Sequence, residues 1–153
     1  MNRTTPLAFM VLAAFAAFAL SVLAPGVSAQ EPNEAAVSGA DADGVVAMYF
    51  HGNARCATCR KIEAYSDEAI AQGFVLELES GRLEWRVVNI DEPANKHFIE
   101  DFQLVTRSVV LVEYRDGNVL RWSNLDKVWQ LVRSKEKFVD YIQEETTEFL
   151  GTS

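Results

Sequence analysis

The sequence predicts an α/β domain, and three observations carry that expectation. The continuous apolar run Val45-Val46-Ala47-Met48-Tyr49-Phe50 ends at a turn, His51-Gly52-Asn53, and leads into a helix beginning at Cys56. A second strand-like segment, Leu83-Glu84-Trp85-Arg86-Val87-Val88-Asn89-Ile90, follows that helix. Two more strand-like segments flank Asp116-Gly117 and precede a final helical stretch. Strands alternating with helical patterns and ending in a hairpin point to a sheet covered by helices.

The first run is apolar at consecutive positions, which suits a strand buried on both faces. Cys56-Ala57-Thr58-Cys59-Arg60-Lys61-Ile62-Glu63-Ala64-Tyr65 contains neither Gly nor Pro and reads as helix. Ser66-Asp67-Glu68 resembles a fresh helix start, so a kink or a second helix is expected there, with Ser80-Gly81 closing the helical region. Residues 83–90 alternate, turn apolar and stop at Asp91-Glu92-Pro93. Residues 95–102 read as a short helix. Val109-Val110-Leu111-Val112-Glu113-Tyr114 and Val119-Leu120-Arg121-Trp122 flank Arg115-Asp116-Gly117-Asn118, where Asp-Gly is a strong signal for an antiparallel hairpin. Leu125, Val128, Trp129 and Val132 then recur at helical spacing, and Phe138, Ile142 and Phe149 mark one face of a last helix starting at Ser134.

At 153 residues, 49% hydrophobic and 24% charged, the chain is in the range of a single globular domain and is neither collagen-like nor a polytopic membrane protein. Its 14 basic and 22 acidic residues give a net charge of −8, which leaves no net attraction for nucleic acid. With only two cysteines, Cys56 and Cys59, one copy of the chain builds neither a disulfide-dense scaffold nor a four-thiolate zinc site.

Residues 6–24 are almost unbrokenly apolar, follow Arg3, and are interrupted by Pro25-Gly26 before Val27-Ser28-Ala29. That is the pattern of a signal peptide spanning residues 1–29, cleaved after Ala29. The same run is just long enough to cross a ~30 Å bilayer core, so membrane attachment is expected only if the segment stays uncleaved. An extracytoplasmic protein, periplasmic or secreted, is the expectation. Residues 30–44, QEPNEAAVSGADADG, are small, polar and acidic, and read as a disordered linker ahead of a domain at 45–150.

The order of elements resembles the thioredoxin-like superfamily. The resemblance covers residues 45–150. It rests on Cys56-Ala57-Thr58-Cys59-Arg60-Lys61-Ile62 after a buried strand, on Val88-Asn89-Ile90-Asp91 ending the next strand, and on the Asp116-Gly117 hairpin. It implies a three-layer α/β/α sandwich with a central mixed four-stranded sheet and the cysteine pair at a helix N-terminus. It also implies thiol–disulfide exchange on protein thiols or disulfides, with a redox partner that recharges the pair and no cofactor.

Exchange needs a thiolate, and an ordinary cysteine at a pKa of about 8.5 is mostly protonated at neutral pH. A helix N-terminus favours the anion through its unpaired N–H groups and dipole, and Arg55 adds a positive charge beside Cys56. Cys56 is therefore the expected nucleophile. Cys59, one turn deeper on the same face, is the expected resolving thiol. A static disulfide is the bland alternative, but closing four residues removes only about 2 kcal/mol of chain entropy, a weak staple for a domain with its own core. Soft-metal or metalloid binding is a second alternative, with His51 as a third ligand beside the two thiolates, or the fold serves as a redox-inert interaction module.

The chain departs from the family's usual pattern in three places. Arg55 stands where many members carry a tryptophan, and Phe50 stands where many carry a buried acid. Val105-Thr106-Arg107-Ser108-Val109 lacks the proline that usually precedes the third strand, which predicts an altered substrate groove with Arg107 or Ser108 facing the thiols. His51 is then a candidate for handling the Cys59 proton, or it merely bonds the strand end. Glu63 reads as a solvated acid one turn beyond Cys59, and His97 as plain surface. A monomer is expected.

Overall fold

The computed structural model describes residues 43–152. The signal peptide expected at 1–29 and the linker expected at 30–44, apart from its last two residues, lie outside them. Within the described residues four strands are present: β1 (Gly44–His51), β2 (Leu83–Asn89), β3 (Ser108–Arg115) and β4 (Asn118–Asn124). They form one sheet in the order β2-β1-β3-β4. β1 pairs parallel with β2 and antiparallel with β3, and β3 pairs antiparallel with β4. This is the mixed four-stranded sheet expected from the resemblance.

β1 is central and buried on both faces, which is why its sequence is apolar without alternation. Val45, Ala47 and Tyr49 face one core, with Val109 and Leu111 of β3. There they meet α1 (Ala57–Gly73) through Ile62, Ala69 and Ile70, and α5 (Lys135–Gly151) through Phe138 and Ile142. Val46, Met48 and Phe50 face a second core with Val110 and Val112, closed by Phe98 and Phe102 at the short helix α3 (Phe98–Asp101). Helices therefore cover both faces of the sheet in three layers. A parallel β1/β2 pair needs a long crossover. α1 and a one-turn α2 (Val75–Glu79) supply it.

The hairpin between β3 and β4 turns on Asp116 and Gly117, at φ +53° and +73°. Positive φ at both central positions is the type I′ geometry that Asp-Gly favours. At the other end of the domain β1 begins one residue earlier than expected. Gly44 has φ +136°, and a Cβ there would sit 3.2 Å from the Arg82 carbonyl oxygen, so only glycine lets the strand start against β2.

Three expectations need correction. α1 runs through Ser66 without a break, and the helical region is interrupted at Phe74 instead. Ser66 is fully buried on the same stripe as Ile62, Ala69 and Ile70, so packing overrides the local start signal. Residues 95–102 are not one helix. Pro93–Asn95 forms a single 3-10 turn, and α3 ends where Gln103 takes φ +50°. The stretch from Leu125 to Val132 contributes only one turn, α4 (Val128–Leu131).

Candidate functional site

The site is built on the loop that joins β1 to α1. The backbone N–H of Asn53 donates to the Asp91 carboxylate at 2.7 Å, and the Asn89 side-chain amide donates to Asn53 Oδ1 at 2.9 Å. Asn95 in turn donates to the Asn89 carbonyl at 3.0 Å. The Asn89-Ile90-Asp91 segment that ends β2 thus clamps the loop ahead of the cysteines. Gly52 sits tight in this clamp, since a Cβ there would lie 2.8 Å from the Asp91 carboxylate.

Cys56 is the N-cap of α1, one position before its first helical residue. Its Sγ accepts a 3.1 Å hydrogen bond from the Cys59 N–H, and its carbonyl accepts one from Arg60 at 3.1 Å. The two cysteines are joined as a disulfide with their Cα atoms 5.0 Å apart. Cys56 is exposed, whereas Cys59 retains 2% of its accessible surface. No acidic residue stands in the first turn of this 17-residue helix, so nothing there offsets its positive end.

Tyr49 reaches the pair from β1. Its hydroxyl donates to the Cys59 carbonyl at 2.8 Å. Burial raises the Tyr49 pKa above the ordinary tyrosine value, and the charges of Arg55 and Arg107 pull against that shift. Phe50, aligned with the family's buried acid, does not face the cysteines. Phe50 packs against Phe98 and Phe102 on the opposite face, and Tyr49 is the β1 residue that faces α1.

The two arginines differ. Arg55 is ion-paired with Glu63, so Glu63 is not a freely solvated acid. Arg107 donates from Nη2 to the Ala54 carbonyl at 3.1 Å and, among the described residues, has no carboxylate within 4 Å. Its own carbonyl accepts a 2.7 Å bond from the indole N–H of Trp129. Ala54, Arg55, Cys56, Cys59, Arg107 and Trp129 line an open cleft of about 460 Å³. Trp129 had read only as part of a helical stripe. Its signal was the need of a half-buried indole N–H for a polar partner.

Ser108 and His51 fall elsewhere. Ser108 stands opposite Phe50 in the sheet register, which turns its side chain away from α1, and its hydroxyl donates to the Thr106 carbonyl at 3.2 Å. His51 is buried and stacks on Tyr49 with ring centroids 6.2 Å apart. Its Nδ1 lies 3.0 Å from the Gly52 carbonyl oxygen, and it does not line the cleft. His97 pairs with Asp101 at 2.7 Å on the surface. Among the described residues, no three of the His, Cys, Asp and Glu side chains form a group that could hold a metal ion. No described helix is long and apolar enough to cross a membrane.

No protein-family model matches the chain, and no curated protein matches it. Solved structures do. A malarial protein is 14% identical, with a TM-score of 0.37, over 61% of this chain and 98% of its own. Thioredoxin f2 of Chlamydomonas reinhardtii is 17% identical, with a TM-score of 0.35, over 63% of this chain and 82% of its own. A thioredoxin from Thermus thermophilus is 18% identical, with a TM-score of 0.37, over 59% of this chain and 72% of its own. The fold itself stands on this chain's own elements: a mixed four-stranded sheet covered by helices, with a Cys-x-x-Cys pair at the start of α1.

Proposed function

We propose that this protein is an exported thiol–disulfide oxidoreductase acting on protein thiols, with Cys56 as nucleophile and Cys59 as resolving thiol. The observation that carries the reading is the asymmetry of the pair: Cys56 is exposed at the N-cap and Cys59 is buried one turn deeper. A partner's sulfur can reach the first but not the second.

In the reducing direction the Cys56 thiolate attacks one sulfur of a partner disulfide. A bond forms between Cys56 and that sulfur, and the partner's other sulfur leaves with the electron pair and takes up a proton. Cys59 loses its proton and attacks Cys56 Sγ. The partner's first sulfur then leaves as a second thiol, and the Cys56–Cys59 disulfide remains as the two-electron oxidised product. The oxidising direction reverses each step.

Three features favour the Cys56 thiolate. They are the unpaired N–H groups opening α1, the absence of an acid in its first turn, and Arg107 across the cleft. Arg55 contributes less than its position suggests, because Glu63 offsets its charge. Tyr49, protonated and committed to the Cys59 carbonyl, holds the resolving residue in place rather than taking its proton. That proton passes to water in the open cleft.

Replacing Cys59 with Ser tests the reading, since nothing then resolves the intermediate. In the cells that make the protein, Cys59→Ser accumulates a reducible mixed disulfide that is absent from the Cys56→Ser, Cys59→Ser double variant. Absence of any such adduct contradicts the proposal. Export rests on the apolar run after Arg3 and on Val27-Ser28-Ala29. Intact mass of the exported protein is expected to begin at Gln30, and a chain retaining Met1 in the membrane fraction contradicts cleavage.

A further inference from the structure

Two clefts meet at Arg107. The first holds the disulfide and Trp129. The second, about 180 Å³, is lined by Gly52, Ile90, Asp91 and Thr106 with Ile99, Leu104 and Val105. Its apolar rim is open to solvent: Val105 is 96% exposed and Ile99 39%. Arg107 lines both, and it is fixed at each end, by Trp129 on its backbone and by the Ala54 carbonyl on its side chain.

That guanidinium retains a donor for a ligand. Among the described residues only Nη2 has an acceptor and no carboxylate lies within 4 Å of the group, while Nε is buried, so Nη1 is the donor left for a ligand. Asp91, whose carboxylate approaches Gly52 as the Arg107 guanidinium does, accepts from the Asn53 N–H. By contrast, Arg55 is engaged by Glu63. A positioned, unpaired arginine between a reactive disulfide and an apolar hollow complements a carboxylate flanked by a sulfur on one side and an aliphatic side chain on the other. A single polypeptide segment can carry all three groups.

We infer that Arg107 selects partner polypeptides that carry an acidic residue next to their reactive cysteine, with an apolar residue beyond it in the Ile99–Leu104–Val105 hollow. This rests on the oxidoreductase reading and adds the class of substrate. The preference is local, since the chain as a whole is net negative and repels acidic partners at long range.

The test uses the reduced full-length protein and two peptides, each with its cysteine capped as a thionitrobenzoate disulfide. One carries Glu next to the cysteine followed by Leu, and the other carries Gln in place of Glu. Cys56 thiolate attacks the peptide sulfur, the mixed disulfide forms, and thionitrobenzoate leaves with the electron pair as a coloured anion. The Glu peptide is expected to react roughly 3- to 5-fold faster, as befits one partly solvated ion pair. In Arg107→Gln the ratio of the two rates falls to one, whereas Arg107→Lys keeps part of it. The ratio cancels any effect of the substitution on Cys56 itself. Equal rates in the wild type, or a ratio that survives Arg107→Gln, overturn the inference and leave the oxidoreductase reading intact. Failure of both peptides to release the chromophore overturns that reading as well. Glutathione capped the same way is expected to react no faster than the Gln peptide, and a rate matching the Glu peptide overturns the assignment to polypeptides.

Discussion

The hydroxyl of Tyr49 donates a 2.8 Å hydrogen bond to the carbonyl of Cys59, tying the centre of the sheet to the buried half of the cysteine pair. Tyr49 has no exposed surface, and its neighbours on β1 are equally buried. The strand is therefore a rigid base, and the bond sets the height at which the first turn of α1 sits above it. In a cysteine pair whose members are separated by depth, that height decides which sulfur meets a partner.

Tyr49→Phe keeps the ring and removes the donor. It is expected to cost about 1 kcal/mol of stability, the net worth of one buried hydrogen bond, since the Cys59 carbonyl keeps the helical bond of α1. Urea unfolding of the oxidised protein measures it. A variant as stable as the wild type means that the hydroxyl's bond contributes nothing net.

Stability is also expected to fall at alkaline pH. Burial raises the pKa values of Tyr49 and Tyr114 above the ordinary tyrosine value, and it pushes Tyr141 up to about 12 with help from the charge of Glu145. Above pH ~10 the unfolded chain loses these protons while the folded one keeps them, so unfolding is coupled to proton release and becomes easier as pH rises. Denaturant midpoints followed against pH should decline beyond about pH 10, together with a late rise in phenolate absorbance. A flat profile there contradicts the burial argument.

Glu63 holds Arg55, and its removal is expected to make Cys56 more reactive. In Glu63→Gln the Arg55 charge is no longer offset, so the Cys56 thiolate is favoured and the reduced form is stabilised. Alkylation of the reduced protein at mildly acid pH should speed up, and the reduction potential should become less negative. Slower alkylation, or an unchanged potential, means that the Arg55–Glu63 pair does not act on Cys56.

Much of the fold was legible because burial leaves a direct mark on sequence. The consecutive apolar residues of β1, the Asp116-Gly117 turn and the Phe138, Ile142, Phe149 stripe each have one structural solution. The site was legible in its chemistry but not in its parity. A strand buried on both faces carries no polar residue to say which side chains face α1, so Phe50 and Tyr49 could not be told apart. The same parity separates Ser108 from Arg107, the two alternatives for facing the thiols. Arg107 lies before β3 begins and turns to the cysteines. Trp129 comes from a helix seventy residues beyond Cys59 in sequence, and Glu63 on α1 pairs with Arg55, which precedes the helix. These are consequences of tertiary placement, which local patterns do not encode.

The most direct test of the redox assignment is equilibration of the full-length protein with defined ratios of reduced and oxidised glutathione, with the free thiols of Cys56 and Cys59 counted after acid quenching. One reversible two-electron transition is expected at a potential between roughly −270 and −120 mV, the span of thioredoxin-fold proteins. A Cys56–Cys59 disulfide that stays closed at every ratio, or thiols that never oxidise, would contradict it.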